Sequence, residues 1–323
     1  MAEAAPRLDV TALGEAMIRF SVRPGYRIED APRYDVHVAG AEANVAFALA
    51  RMGVRSAWAS VLPRNALAER IATALRSGGV DLSPLAWVDA GRVGTYFVEL
   101  ATPPRPTTVT YDRAGSTMAL AGPDSLDWDA VCAARLLHVT GITFGVSPSA
   151  LALSERAVAE ARDRGRLVSL DVNYRGRLWG PDEAGATLRR MAGRIDLLLC
   201  KLDDARDLFG CTGGARDVAE QLRDAFRVER VAVTCGAAPA LALDGGDVIE
   251  VPSYTVQIVD RIGAGDAFAA GVLWGYLDGS LASGLERGVA MAALKMTVAG
   301  DLFTLDRAAV DTLLSRPTRD VHR

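Results

Sequence analysis

VDRIGAGDAFAAG, residues 259–271, sets three glycines and two carboxylates around a point where a loop turns into a helix. The preceding YTVQIVD (254–260) reads as a strand that ends at Asp260, and DAFAAGVLWGYL (266–277) reads as an apolar helix. Between them Gly263, Ala264 and Gly265 let the backbone turn tightly, with N–H groups exposed at the positive end of a helix dipole. Such a turn is an anion site, suited to a phosphate or to charge developing on one. A carboxylate in the first helical turn, Asp266, would repel a phosphate that was merely held there. It fits if it takes a proton from a hydroxyl attacking phosphorus while the amides stabilise the transferring phosphoryl oxygens. A first-turn acid also serves simply to cap a helix, worth about 0.5–2 kcal/mol, and spacing alone leaves both readings open.

The strand, loop and helix pattern repeats along the chain. LDVTAL (8–13), SAWAS (56–60), RLLHVT (135–140), RLVSLDVN (166–173), IDLLLC (195–200) and RVAVTC (230–235) read as strands, with helical patterns between them. AEANVAFALARMG (41–53) and LALSERAVAEARDRG (151–165) have apolar residues at helical spacing and stop at Gly53 and Gly165. Strands separated by helices imply right-handed crossovers, hence an α/β fold with a mainly parallel central sheet and helices on both faces. Residues 92–113 contain two Thr/Val/Tyr-rich runs around a proline-rich turn, and 17–38 also reads as extended. Together they are expected to form a small antiparallel β-sheet lid, with an irregular surface loop as the alternative. One domain over 7–316 and a short tail at 317–323 complete the expected organisation.

Composition excludes several functions. The chain has 323 residues, 50% of them hydrophobic, and a formal net charge of −4, so it shows no basic footprint for nucleic acid. No apolar run approaches the roughly 18 residues of a membrane span, and the N-terminus lacks a secretory pattern, so a cytoplasmic protein is expected. Cys132, Cys200, Cys211 and Cys235 form no CxxC pair and read as reduced thiols. A P-loop needs Gly-Lys-Ser/Thr, but Lys201 and Lys295 are the only lysines and neither follows a glycine. The protein-kinase motifs are missing, and a dinucleotide fingerprint would need a glycine where Phe268 stands.

DRIGAGDAFAAG (260–271) resembles the C-terminal signature of the ribokinase-like (PfkB) sugar kinases, and VAGAEANVAFALARMG (38–53) resembles their N-terminal glycine motif. TYFVE (95–99), VTYDRAGS (109–116), DVNYRGRLW (171–179) and ALKMTVAGDLF (293–303) are similar to the 2-keto-3-deoxygluconate kinases within that family. The resemblance implies a ribokinase-like fold, ATP and Mg²⁺ as cofactors, a sugar-acid substrate and a homodimer joined through the lid. It implies Asp266 as base and the amides of Gly263, Ala264 and Gly265 as the anion hole. Gly40 and Asn44 would contact the sugar, with Tyr96 and Tyr111 reaching it from the lid. Arg113 and Arg175 would meet its acid end, since a guanidinium matches a carboxylate with paired donors. Arg175 taken alone reads equally as a surface ion pair. Asp260 and Asp301 would lie near substrate hydroxyls or nucleotide, and Lys201, Thr234 and Gly236 would line the nucleotide side together with Gly263 and Gly265.

The chain departs from the family pattern at three places. Ala39-Gly40 replaces a glycine pair, Pro239 replaces a repeated glycine, and Lys201 and Asp204 stand in the Asn-x-x-Glu element tied to metal placement, which leaves the metal ligands unassigned. The reaction implied is in-line transfer of the γ-phosphoryl group of ATP to the 6-hydroxyl of 2-keto-3-deoxygluconate. A neutral sugar such as fructose, or binding without turnover, are the alternatives. The helix end is expected to keep Asp266 ionised and a weak base.

Overall fold

The computed structural model describes residues 7–100 and 104–315, so the expected tail lies outside the described residues. Thirteen strands occur among them: β1 (Leu8–Leu13), β2 (Met17–Val22), β3 (Asp35–Ala39), β4 (Ser56–Pro63), β5 (Leu85–Val88), β6 (Gly94–Glu99), β7 (Thr108–Asp112), β8 (Ala134–Thr140), β9 (Leu167–Asp171), β10 (Leu197–Lys201), β11 (Arg230–Thr234), β12 (Ala240–Asp244) and β13 (Asp247–Val251). The helices are α1 (Ala41–Arg51), α2 (Ala66–Ser77), α3 (Thr117–Leu120), α4 (Trp128–Val131), α5 (Gly141–Val146), α6 (Pro148–Asp163), α7 (Pro181–Arg189), α8 (Leu202–Phe209), α9 (Ala215–Phe226), α10 (Ala264–Leu277), α11 (Leu281–Lys295) and α12 (Arg307–Leu314).

Nine strands form one sheet in the order β13-β12-β11-β10-β9-β8-β1-β4-β5. It is parallel from β11 through β5, and only the β11-β12-β13 end is antiparallel. The central strands are apolar runs because helices cover both faces, as LDVTAL in β1 shows with five of its six residues buried. One core layer gathers Phe144, Leu153, Val168 and Leu222; the other gathers Leu49, Leu136, Phe268 and Met291. Helix α10 is buried almost all round and packs chiefly against α11 and α1. That central position brings the glycine turn before α10 to the carboxyl edge of the sheet.

The lid is a four-stranded sheet in the order β3-β2-β6-β7. GTYFVE in β6 alternates buried and half-buried residues, as expected of a strand with one face on the body. The sheet is mixed and not antiparallel as expected from sequence, because its middle pair, β2 and β6, runs parallel. Both strands leave the same end of the main sheet, and each then folds back through its own neighbour, β3 or β7.

Residues 254–260 also differ from expectation. They form no strand; β13 ends at Val251, and the N–H groups of Val259 and Asp260 both donate to the Met296 carbonyl at 2.8 and 3.2 Å. The segment is thus pinned to the end of α11 and not to a sheet edge. The four cysteines are free, three of them buried. No helix among the described residues is long and apolar enough to cross a membrane.

The backbones of α10 and α11 approach so closely that a Cβ on Gly275 would stand 2.2 Å from the Gly284 Cα. Gly275→Ala must therefore push the two helices apart, at a cost of about 1–3 kcal/mol. Urea unfolding of this variant should show that loss, together with impaired turnover, since α10 carries Asp266.

Candidate active site

Two chambers open at the carboxyl edge of the main sheet, with volumes of about 440 and 600 Å³. They meet at Arg261 and Gly265, which line both. The smaller, under the lid, holds Gly40, Asn44, Tyr96, Tyr111, Arg113 and Arg175, with Asp266 and Asp301 also on its wall. The larger holds Lys201, Thr234, Gly236, Ala264 and Gly265. The glycine turn is therefore the partition. Asp260 lines neither chamber and is buried beneath the turn.

Gly263 caps α10 in the left-handed region at φ +87°, and a Cβ there would fall 2.3 Å from the Asp301 carbonyl oxygen. Only glycine makes this turn. The three expected amides are not equivalent, because the Ala264 N–H donates to the Arg261 carbonyl at 3.3 Å. The N–H groups of Gly263, Gly265 and Asp266 have no backbone partner among the described residues and are the free donors of the turn.

Asp266 is buried, accepting from Asn44 Nδ2 at 2.7 Å and from Asn173 Nδ2 at 3.4 Å. Burial raises its carboxyl above the ordinary aspartate range, opposed by the Asn44 hydrogen bond and by the charge of Arg175. This corrects the sequence expectation. Desolvation outweighs the helix end and makes Asp266 a stronger base than a surface aspartate. Asn44 is aimed by α1, whose first turn begins at Gly40, and a Cβ on Gly40 would meet the Glu15 carbonyl at 2.3 Å. The Asn44 Oδ1 is buried without a partner.

The two expected carboxylate-binding arginines differ. Arg113 is nearly buried and donates from Nε to Glu15 at 2.8 Å and from Nη2 to the same oxygen, and Ser116 donates to the other oxygen. Arg175 is exposed at the chamber mouth, forms no ion pair among the described residues, and donates only to the Tyr174 carbonyl at 3.0 Å. Arg177 lines the same chamber and donates to the Val109 carbonyl on the lid. Tyr96 reaches inward from the lid, its ring 5.5 Å from Tyr111, and its hydroxyl donates to Asp301 at 2.5 Å. Asp301 and Asp260 flank the fully buried Arg19 of β2, each 2.8 Å from a guanidinium nitrogen. Asp260 is thereby a structural partner of the lid and not a group facing either chamber, because Arg19 and the Ile262 and Gly300 amides occupy its oxygens.

On the other side of the turn, Lys201 pairs with Asp203 at 2.9 Å. Behind it, Asp171 at the end of β9 and Asp204 in the first turn of α8 are both raised by burial, Asp171 to about 8 with the nearby Asp266 charge contributing. No group of three side chains able to hold a metal ion occurs among the described residues.

A model of the pfkB family carbohydrate kinases matches residues 7–307. The chain belongs to this family. It is 38% identical over 307 residues to a 2-dehydro-3-deoxygalactonokinase of Haloferax volcanii, covering 95% of this chain and 96% of that one. A 2-dehydro-3-deoxygluconokinase of Thermoproteus tenax is 32% identical over 302 residues, covering 91% and 90%. The crystal structure of a 2-dehydro-3-deoxygluconokinase from Thermotoga maritima superposes with a TM-score of 0.90 at 32% identity, covering 96% of this chain and 98% of that one. As a carbohydrate kinase of the pfkB family, the chain is a phosphotransferase with an alcohol group as acceptor.

Sequence reasoning about this pfkB kinase missed Glu15, Arg19, Glu42, Asp171 and Asn173. Asn173 had the clearest signal, because it lies within the quoted DVNYRGRLW and adopts φ +37°, which asparagine tolerates better than most residues. Glu42 is fully buried beside Asn44 and accepts from the Thr140 and Thr143 hydroxyls at 2.7 and 2.6 Å. Burial raises it to about 7. Between the unfolded value near ~4.3 and that value, the unfolded chain has released the proton that the folded chain keeps, so stability falls as pH rises through this window. Glu42→Gln should reduce that fall by roughly 3 kcal/mol, read as the difference between urea unfolding at pH 5 and at pH 8.

Proposed function

We propose that this kinase transfers the γ-phosphoryl group of ATP to the 6-hydroxyl of a 2-keto-3-deoxy sugar acid, 2-keto-3-deoxygluconate (2-dehydro-3-deoxygluconate) or its galactonate epimer. The observation that carries the reading is the pairing of a buried carboxylate, Asp266, with the free amides of Gly263 and Gly265 in a chamber whose mouth holds the unpaired Arg175. Kinship with both galactonate-type and gluconate-type kinases, at 38% and 32% identity, supports it.

In this mechanism Asp266 accepts the proton of the attacking hydroxyl, and Asn44 and Asn173 hold its two oxygens in place. The unpartnered Asn44 Oδ1 accepts from a sugar hydroxyl. Charge developing on the transferred group falls to the Gly263 and Gly265 amides, which are fixed before the reaction begins and need no reorganisation. Arg175 takes the substrate carboxylate. Tyr96 and Tyr111 supply apolar walls, and the lid excludes water that would otherwise compete as acceptor. Lys201, Thr234 and Gly236 border the nucleotide. Asp171 and Asp204, half-buried carboxyls with raised proton affinity, are the residues that would hold Mg²⁺. Mg²⁺ when bound would offset the phosphate charges. A homodimer through the lid belongs to the same reading, supported by the half-buried aromatic cluster in which Phe20 and Phe97 stack at 5.3 Å beside Tyr34.

Glu15 already neutralises Arg113, which weakens it as a carboxylate partner, so a neutral sugar is the competing acceptor. ADP release should be measured from Mg-ATP with 2-keto-3-deoxygluconate, its galactonate epimer, fructose and ribose. Turnover is expected on the keto-deoxy acids and should fall at least about 10³-fold in Asp266→Asn. Arg175→Met should raise KM for the acids about 10- to 100-fold, in line with the ~1.5–3 kcal/mol of a charge-assisted hydrogen bond, and leave any neutral sugar unaffected. Turnover confined to fructose or ribose would overturn the sugar-acid assignment.

The pH profile is a separate check. Asp266 works as the carboxylate, so kcat/KM should fall as pH drops through its raised pKa, above the ordinary aspartate range. Asn44→Ala removes a hydrogen bond that favours the anion and should move this acidic limb to higher pH.

A further inference from the structure

Of the 36 basic residues only two are lysines, and one of them, Lys295, is fully buried. It stands in the last turn of α11, and its Nζ donates to the Val298 carbonyl at 3.2 Å. Among the described residues no carboxylate comes within 4.0 Å of the ammonium. A lysine at a helix C-terminus normally reaches outward, its stem on the surface and its charge in water. Burying an ammonium without a close partner costs several kcal/mol, and methionine would fill the same space without that cost.

The surroundings of Lys295 account for the charge. Its Cε lies 3.2 Å from where a Cβ on Gly263 would be, so the side chain packs directly behind the glycine turn. The next residue, Met296, receives the Val259 and Asp260 N–H groups and fixes the approach to the same turn. Lys295 lines neither chamber, so it does not bind a ligand from that position. The charges that act on it are Asp260, Asp301 and Asp266 on one side of the balance and Arg19 on the other. Without Lys295, three carboxylates would face one guanidinium around a turn whose task is to receive an anion. Arginine would supply the charge but not the fit, since its planar fork is larger than the compact ammonium.

We infer that Lys295 is a positioning residue of the phosphoryl site, a fixed internal cation that shapes the Gly263–Gly265 turn and offsets the carboxylates behind it. The inference rests on the reading of this turn as the anion hole.

Lys295→Met tests it. The variant should fold, as read from a far-UV circular dichroism spectrum matching the wild type and a single cooperative thermal transition. With whichever acceptor the wild type phosphorylates, KM for acceptor and ATP should stay within about threefold while kcat falls about 30- to 100-fold, a smaller loss than removal of a direct oxyanion donor. In Lys295→Ala, ethylammonium should restore part of kcat and ethanol should not, because only the former returns the charge. A kcat within threefold of wild type in Lys295→Met, or equal rescue of Lys295→Ala by both additives, would overturn the inference. If the wild type phosphorylates none of the acceptors, the substrate reading fails separately. Affinity for ADP with aluminium fluoride, a mimic of the transferring group, then decides the matter for Lys295. A loss of tenfold or more in Lys295→Met supports its role, and equal affinity removes it.

Discussion

Arg19 has no solvent exposure, and its guanidinium lies between Asp260, just before the glycine turn, and Asp301, in the loop that follows α11. It belongs to β2, so one buried cation joins the lid to the two segments that shape the anion site. A buried ion pair adds little net stability compared with an apolar replacement, but removing one partner leaves an uncompensated charge costing about 3–5 kcal/mol. The constraint is therefore geometric. The root of the lid cannot shift without moving the turn, and Tyr96, bonded to Asp301, is held in the same network.

This constraint divides the lid into a fixed and a free half. β2 is anchored through Arg19, and β6 is anchored through Tyr96. The outer strand β7 is held to the body by the Arg177 contact with the Val109 carbonyl, made by an exposed side chain. Tyr111 sits on this outer strand, whereas Arg113, one residue beyond it, is tied to the body through Glu15. The base and the free amides lie on the fixed side. These reacting groups are held in place by the fold, as preorganised catalysis requires.

The parts of this arrangement legible in the sequence are those whose signal is local. GAGD announces a turn, a helix start and an acid within four residues, and the strand and helix alternation gives the main sheet. The segment 254–260 misled because its β-branched residues carry strand propensity, while its actual partner is the Met296 carbonyl, a contact no propensity encodes. The antiparallel end strands β12 and β13 went unread for a related reason: what defines them is their pairing with β11 and with each other. Arg19 and Asp301 are 282 residues apart, and Asn44 and Asp266 are 222 apart, so neither contact leaves a trace in spacing. The expectation that the helix end would leave Asp266 a weak base did not hold, because burial, a property of the assembled site, raises its pKa. An aspartate is assigned its solvent by the fold.

Glu15 bears most directly on which acceptor fits. It holds Arg113 with both Nε and Nη2 on one oxygen and takes the Ser116 hydroxyl on the other, so its acceptor capacity and much of the Arg113 charge are used within the protein. What Arg113 then offers to the chamber is a rigid donor of reduced charge, better suited to a carbonyl or hydroxyl oxygen than to a full carboxylate. Arg175 is the reverse, an exposed side chain with no ion pair among the described residues. A 2-keto acid presents both kinds of oxygen on adjacent carbons, a carboxylate and a neutral carbonyl. On the proposed substrate Arg175 would take the carboxylate and Arg113 the carbonyl, each donor meeting an acceptor of its own charge demand.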